Sequence, residues 1–134
     1  MKKRYIAVPA ALALFYAICA GSSELPEGFD KNRVFRVSKD FINRLNEGDF
    51  RACYQRFNET MKSSMSSERL ESTFRSIAEG LGGFVRFKGI SVSARKSLGV
   101  EYAVCVVKCQ YEKEAATFTL SLDKEMKIGG LYIK

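Results

Sequence analysis

A chain of 134 residues with 46% hydrophobic content has enough apolar material for one domain with its own core plus a targeting segment. Its formal charge of +7 falls to a small excess, 19 basic against 15 acidic residues, once the first twenty residues are set aside. The basic residues are scattered, and the chain shows no recognition-helix pattern, zinc-finger spacing or aromatic-glycine RNA motif, which argues against nucleic acid as a partner.

The chain opens with Lys2-Lys3-Arg4, followed by an apolar stretch from Tyr5 to Ala20. A charged start, a short apolar run and small residues for cleavage are the layout of a secretory signal peptide. The run contains Pro9 and is short of the roughly 20 residues a membrane-spanning helix needs. Residues 1–20 therefore read as a signal peptide cleaved after Ala20, with Ser22 as a second cleavage site and no stable membrane span after processing. Two alternatives stay open: a lipoprotein anchored at Cys19, against which the bulky Ile18 counts, and an uncleaved N-terminal anchor. Residues 21–30 are a polar linker of the GSSELPEG type, and residues 31–134 form a single domain.

Three helices are predicted next. Lys31–Asn46 carries Val34, Phe41, Ile42 and Leu45 at three- and four-residue spacing and ends at Gly48. Asp49 is the natural cap of a second, short helix with the stripe Phe50, Cys53, Tyr54 and Phe57. Asn58–Ser64 reads as a polar link. Ser66 or Ser67 then caps a third helix whose face is Leu70, Phe74, Ile77, Ala78 and Leu81, before Gly80, Gly82 and Gly83 end it.

The remainder reads as four strands: Phe84–Ala94, Val100–Tyr111, Ala115–Leu122 and Lys127–Ile133. The breaks between them are short and polar (Arg95–Gly99, Glu112–Glu114 and Asp123–Met126), so neighbouring strands must run antiparallel. In Ala115–Leu122 the residues Phe118, Leu120 and Leu122 share one face, while Thr117, Thr119 and Ser121 share the other, predicting one buried and one wet side. Val100–Tyr111 is apolar on both faces near its start and polar on one face at Lys108 and Gln110. Gly129-Gly130 predicts a bulge or bend in the last strand. The fold class is α+β: three N-terminal helices followed by a four-stranded antiparallel sheet, which the bend would curl around whatever packs against it.

Several stretches together resemble a known family. The run Phe41-Ile42-Asn43-Arg44-Leu45-Asn46-Glu47-Gly48-Asp49-Phe50 is similar to the opening of small domains related to nuclear transport factor 2, the cystatin-like α+β cone. More narrowly, Leu81-Gly82-Gly83-Phe84, the run Val106–Lys113 and the ending Leu122-Asp123-Lys124…Lys127–Ile133 resemble the bacterial domain-of-unknown-function family 3887, from about Val34 to Ile133. The resemblance implies helices lying in the hollow of a strongly curved sheet. It brings no catalytic residues with it, because the family has none established.

Chemistry is sparse. The chain has no histidine, which removes His-dependent nucleophiles, His-containing zinc sites and the commonest general base. Cys105 and Cys109 lie four apart on one strand, about 13 Å along it, too far for a disulfide. Cys53 is left open as a partner for either one, with small buried thiols as the plainer reading. Asp40, Glu47, Asp49, Glu59, Glu68, Glu71 and Glu79 fall on polar helix faces or turns, and Glu101, Glu112, Glu114, Asp123 and Glu125 at strand ends or hairpins. None interrupts an apolar stripe, where a raised pKa would mark a general acid or base. Asp123-Lys124-Glu125 lacks the remaining ligands and central glycine of a calcium loop. No metal or cofactor is expected.

Aromatic residues on the core stripes are the remaining candidates. The resemblance implies a cone with an apolar cavity, lined by Phe41, Tyr54, Phe57, Phe74, Tyr111, Phe118 and Tyr132, with the tyrosine hydroxyls orienting a ligand. The expectation is an exported, non-catalytic module for a small apolar or amphipathic molecule or a protein partner. The alternatives are a cone-type isomerase, dehydratase or hydrolase using Asp or Glu with Tyr, and an interaction or homodimerisation domain pairing through its open sheet face.

Overall fold

The computed structural model describes residues 6–7 and 25–134. The cleavage sites, Cys19 and residues 21–24 of the linker lie outside the described residues. The rest of the linker is a turn, closed by the Phe29 N–H donating to the Pro26 carbonyl (3.2 Å), and it lays Leu25 and Phe29 against the core.

The elements, in order, are β1 (Ile6–Ala7), α1 (Lys31–Glu47), α2 (Phe50–Arg56), α3 (Glu59–Ser64), α4 (Ser67–Leu81), β2 (Phe84–Ser97), β3 (Val100–Tyr111), β4 (Ala115–Leu122) and β5 (Ile128–Ile133). Each helix starts on a polar side chain that accepts from a first-turn N–H: Asp30 from Asn32, Asp49 from Ala52, Asn58 from Met61 and Ser66 from Arg69. Gly48 closes α1 at φ 84°, a left-handed conformation that glycine enters without strain. Helix α3 replaces the polar link expected over Asn58–Ser64. It has one apolar anchor, the fully buried Met61, and a cap in Asn58, too little to show as a hydrophobic period.

The sheet order is β1-β5-β4-β3-β2, antiparallel throughout. Strand β2 runs on through Arg95, Lys96 and Ser97, which pair with Tyr102, Glu101 and Val100, so the expected break shrinks to Leu98-Gly99. Both turn residues have positive φ, the geometry that suits the twist of a tight hairpin. Polar residues there do not end the strand, because this end of β2 runs past the core and the side chains of Arg95, Lys96 and Ser97 are not buried. In β5, Ser121 pairs with Gly130 but Leu122 with Ile128, leaving Gly129 as the extra residue of a bulge.

The helices cover one face. Val34, Phe41, Ile42 and Leu45 of α1, Phe50 and Cys53 of α2, and Leu70, Phe74, Ile77 and Leu81 of α4 meet Cys105, Val107, Cys109, Phe118, Leu120, Leu122, Leu131 and Ile133 of the sheet in one core. The hairpin between β3 and β4 is tied to the end of α4: Glu112 Oε1 accepts from Gly83 N (2.9 Å), and Lys113 N donates to the Leu81 carbonyl (2.8 Å).

The opposite face is drier than its threonines and serines predict. Thr119 is 7% exposed and Ser121 0%, beside a small cluster of Val104 with Tyr102 and Tyr132. The cause lies across the ladder: Thr119 pairs with Tyr132 and Ser121 with Val104, so large neighbours shelter short side chains. Lys108 on the same face is exposed, as its polarity predicts.

Candidate functional site

The aromatic residues expected to line a cavity mostly fill the space instead. Phe41, Phe57, Phe74, Tyr111 and Phe118 are buried in the main core. Phe41 and Phe57 pack as tilted rings 5.9 Å apart. Tyr54 is half-buried at the rim, edge-on to Phe57 at 6.2 Å, with Lys62 Nζ 5.6 Å above its ring. Tyr132 sits on the other face of the sheet, with Tyr102 and Val104, and so is not brought together with the other six. The Tyr111 hydroxyl donates to Asn46 Oδ1 at 2.7 Å; burial holds its pKa well above the usual tyrosine value. That hydroxyl serves the core rather than a ligand.

The three described cysteines are free and buried. Burial pushes Cys53 and Cys109 up to about 12 and Cys105 up to about 11, the last partly offset by the Ser38 hydroxyl and the Lys39 charge. The Cys53 thiol donates to the Phe41 carbonyl at 3.6 Å. All three are therefore protonated packing groups at neutral pH, neither bridged nor nucleophilic.

The carboxylates lie outside the core. Glu101 is held below the usual carboxylate range by its hydrogen bond to Lys124, 2.9 Å away. Among the described residues no group of three or more Cys, Asp or Glu side chains is placed to hold a metal ion.

Two clefts of the described surface, one on each side of Lys127, are mainly polar. A groove of about 310 Å³ runs between α1, α2 and the approach to β5, lined by Asp40, Phe41, Arg44, Ala52, Gln55, Arg56 and Lys127. Two helices deliver its parts by simple spacing: Asp40 and Arg44 are one turn apart on α1, while Ala52, Gln55 and Arg56 share the facing side of α2. Arg44 Nε meets Asp40 Oδ2 at 2.9 Å and its Nη1 meets Asp49 Oδ2 at 3.3 Å, and Asp40 raises the guanidinium's already high pKa. Lys127 is carried in by the turn between β4 and β5, where Asp123 Oδ1 accepts from both Glu125 N and Lys127 N. Its Nζ donates to the Gln55 carbonyl at 3.3 Å, at the C-terminal end of α2, where a cation is favoured.

On the other side of Lys127 lies a second cleft of about 330 Å³, lined by Phe57, Asn58, Glu59, Thr60, Lys62, Glu125 and Lys127. A wider depression of about 600 Å³ at the far end of the sheet involves Lys96, Glu101, Asp123, Lys124 and Glu125, where opposite charges already meet. The first groove is different, because Arg44 takes up both nearby carboxylates, Asp40 and Asp49, and Arg56 and Lys127 add two further cations to the lining. Sequence reasoning missed Arg56 and Lys127 entirely. The Asp40–Arg44 spacing was visible as a helical pair, but a cation that follows a turn carries no signal of where the turn delivers it.

Helices on one face of a bulged antiparallel sheet, with a charged groove between the first two, define a small α+β domain. The chain belongs to the family described as Protein of unknown function (DUF3887), whose model matches residues 38–131. It is also similar to a solved structure, the NMR structure of a protein from Ruminococcus gnavus ATCC 29149, at 25% identity and TM-score 0.70, over 84% of this chain and 97% of that one. No curated protein matches the sequence.

Proposed function

We propose that this protein is an exported, non-catalytic binding module whose site is the groove between α1 and α2, and whose ligand is a small amphipathic anion. The observation that carries this reading is the groove itself: Arg44, Arg56 and Lys127 line one volume of about 310 Å³, in which Arg44 is paired with Asp40 and Asp49 while Arg56 and Lys127 bring two further cations. Small-molecule sites start at about that size and use a few placed polar groups beside an apolar surface. The cations supply attraction for a carboxylate or phosphate, Arg44 is held in place by Asp40 and Asp49, and Ala52 with the aliphatic stems of Arg56 and Lys127 gives an apolar contact.

Export is supported by Lys2-Lys3-Arg4 ahead of the apolar run to Ala20. No helix among the described residues is long and apolar enough to cross a membrane. The non-catalytic part is supported by the missing histidine and by the absence of any Asp or Glu from the buried positions among the described residues.

The test is a thermal-shift and native mass-spectrometry titration of the chain from Gly21 against amphipathic carboxylates and phosphates. Saturation at a hundredfold excess over Kd adds about 2.7 kcal/mol, a shift of several degrees. Arg56→Ala and Lys127→Ala should each weaken binding about tenfold, the scale of one charge-assisted contact. Turnover of any such compound, abolished by replacing one Asp or Glu, would overturn the binding-module reading.

A further inference from the structure

The two edges of the sheet are built differently. Edge β2 carries Arg86, Lys88, Arg95 and Lys96 and has register shifts at Phe84/Arg86 and Phe87/Gly89. Charges and bulges of this kind keep another strand from adding. Edge β5, Ile-Gly-Gly-Leu-Tyr-Ile, carries no charge at all. Its start is closed by the chain itself, where Ile128 bridges to Phe57 and its carbonyl accepts from Asn58 N at 2.9 Å. Beyond the bulge the edge is bare of such devices.

Alternation fixes which groups that edge presents. Lys134 and Thr117 exchange both backbone bonds, at 3.0 and 2.9 Å, so Tyr132 with Thr119 is the next hydrogen-bonded pair toward β4. The N–H and C=O of Leu131 and Ile133 therefore face the opposite way, out of the sheet. The structure shows a strand there: β1 pairs antiparallel with β5, Ile6 opposite Ile133 and Ala7 opposite Tyr132.

We propose that the Leu131–Ile133 edge is a strand-acceptor site for an extended apolar peptide segment, occupied in cis by Ile6–Ala7 and opened when the leader is removed. The register defines the chemistry recognised: an antiparallel segment donating and accepting at Ile133, with a small residue opposite Tyr132. A ladder this short gives weak, reversible capture, which suits a segment that must leave. The opening step rests on the export reading; the edge itself does not depend on it, nor on the groove.

Amide hydrogen exchange at single residues tests this. In the chain from Gly21, which keeps every described core residue from Val34 to Ile133, a synthetic peptide of the Lys3–Pro9 sequence should slow the Ile133 amide about tenfold. The Tyr132 amide, bonded to β4, should not change, and a scrambled peptide should do nothing. An Ile133 amide indifferent to saturating peptide overturns the proposal, as does protection that rises with protein concentration alone, which would put a second copy on the edge. The full chain gives an independent arm. Ile6→Pro removes the N–H that faces β5 and should speed exchange at Ile133, whereas Ala7→Pro removes one that faces away and should not. Equal exchange in the full chain and both variants would also overturn it.

Discussion

At the scale of single residues, burial sets behaviour more than chemistry does. Cys53, Cys105 and Cys109 should resist a thiol reagent in the folded protein and react together on unfolding; fast labelling of any one under native conditions would contradict their packing role. Their shifts also fix a pH dependence. An unfolded thiol ionises near 9, while the fold keeps these protonated to about 11 or 12. Between those values the native state holds more protons than the unfolded one, so stability is full below pH 9 and falls as pH rises. Each thiol contributes about 1.4 kcal/mol per pH unit in that window. Denaturant midpoints measured from pH 8 to 11 should fall accordingly, and substitution of one cysteine by Ala should flatten the slope. Phe118 was legible as core because it alternates with threonines, and it is 0% exposed. Phe118→Ala should cost about 3–5 kcal/mol by chemical denaturation. Thr119 was expected on a wet face, where replacement is nearly neutral. With Tyr132 sheltering it, Thr119→Ala should instead cost about 1 kcal/mol. Equal costs at the two positions would contradict the register.

At the scale of elements, the meander and three of the helices were readable because their apolar residues repeat with period two or 3.6. Helix α3 was not, since Glu-Thr-Met-Lys-Ser-Ser buries Met61 alone. The bulge at Gly129-Gly130 was readable, but the reason for glycine at 129 was not. A Cβ there would come within 2.8 Å of Asn58 Nδ2 and 3.0 Å of Tyr102 Cε1. Asn58 is held because its Oδ1 caps α3 by accepting from Met61 N at 2.9 Å. Gly129→Ala should therefore destabilise by about 1–3 kcal/mol, the usual range for overpacking. The same substitution should cost clearly less in an Asn58→Gly background, where the cap is already gone. Strict additivity in that cycle, followed by urea unfolding, would mean the two residues do not meet.

At the scale of the whole molecule, the order of three main helices and then a four-stranded antiparallel sheet was legible, because short polar breaks leave antiparallel neighbours as the one simple outcome. The family was legible from turns and helix stops. The site was not. The resemblance implied an open cone with an aromatic lining, but the rings close on one another, and the concave surface lies outside them, where charge scattered along the chain is gathered by folding. Arg44, Arg56 and Lys127 come from three elements and share a groove that no local pattern announces. The central claim is that this groove binds a small amphipathic anion. Its most direct test is to follow backbone amide chemical shifts in the chain from Gly21 during titration with amphipathic carboxylates and phosphates. The account predicts saturable shifts at Ala52, Gln55, Arg56 and Lys127, lost in the Arg56→Ala, Lys127→Ala double variant while the fold persists. Shifts centred on Phe74, Tyr111 and Phe118, or saturable binding that the double variant leaves intact, would contradict it.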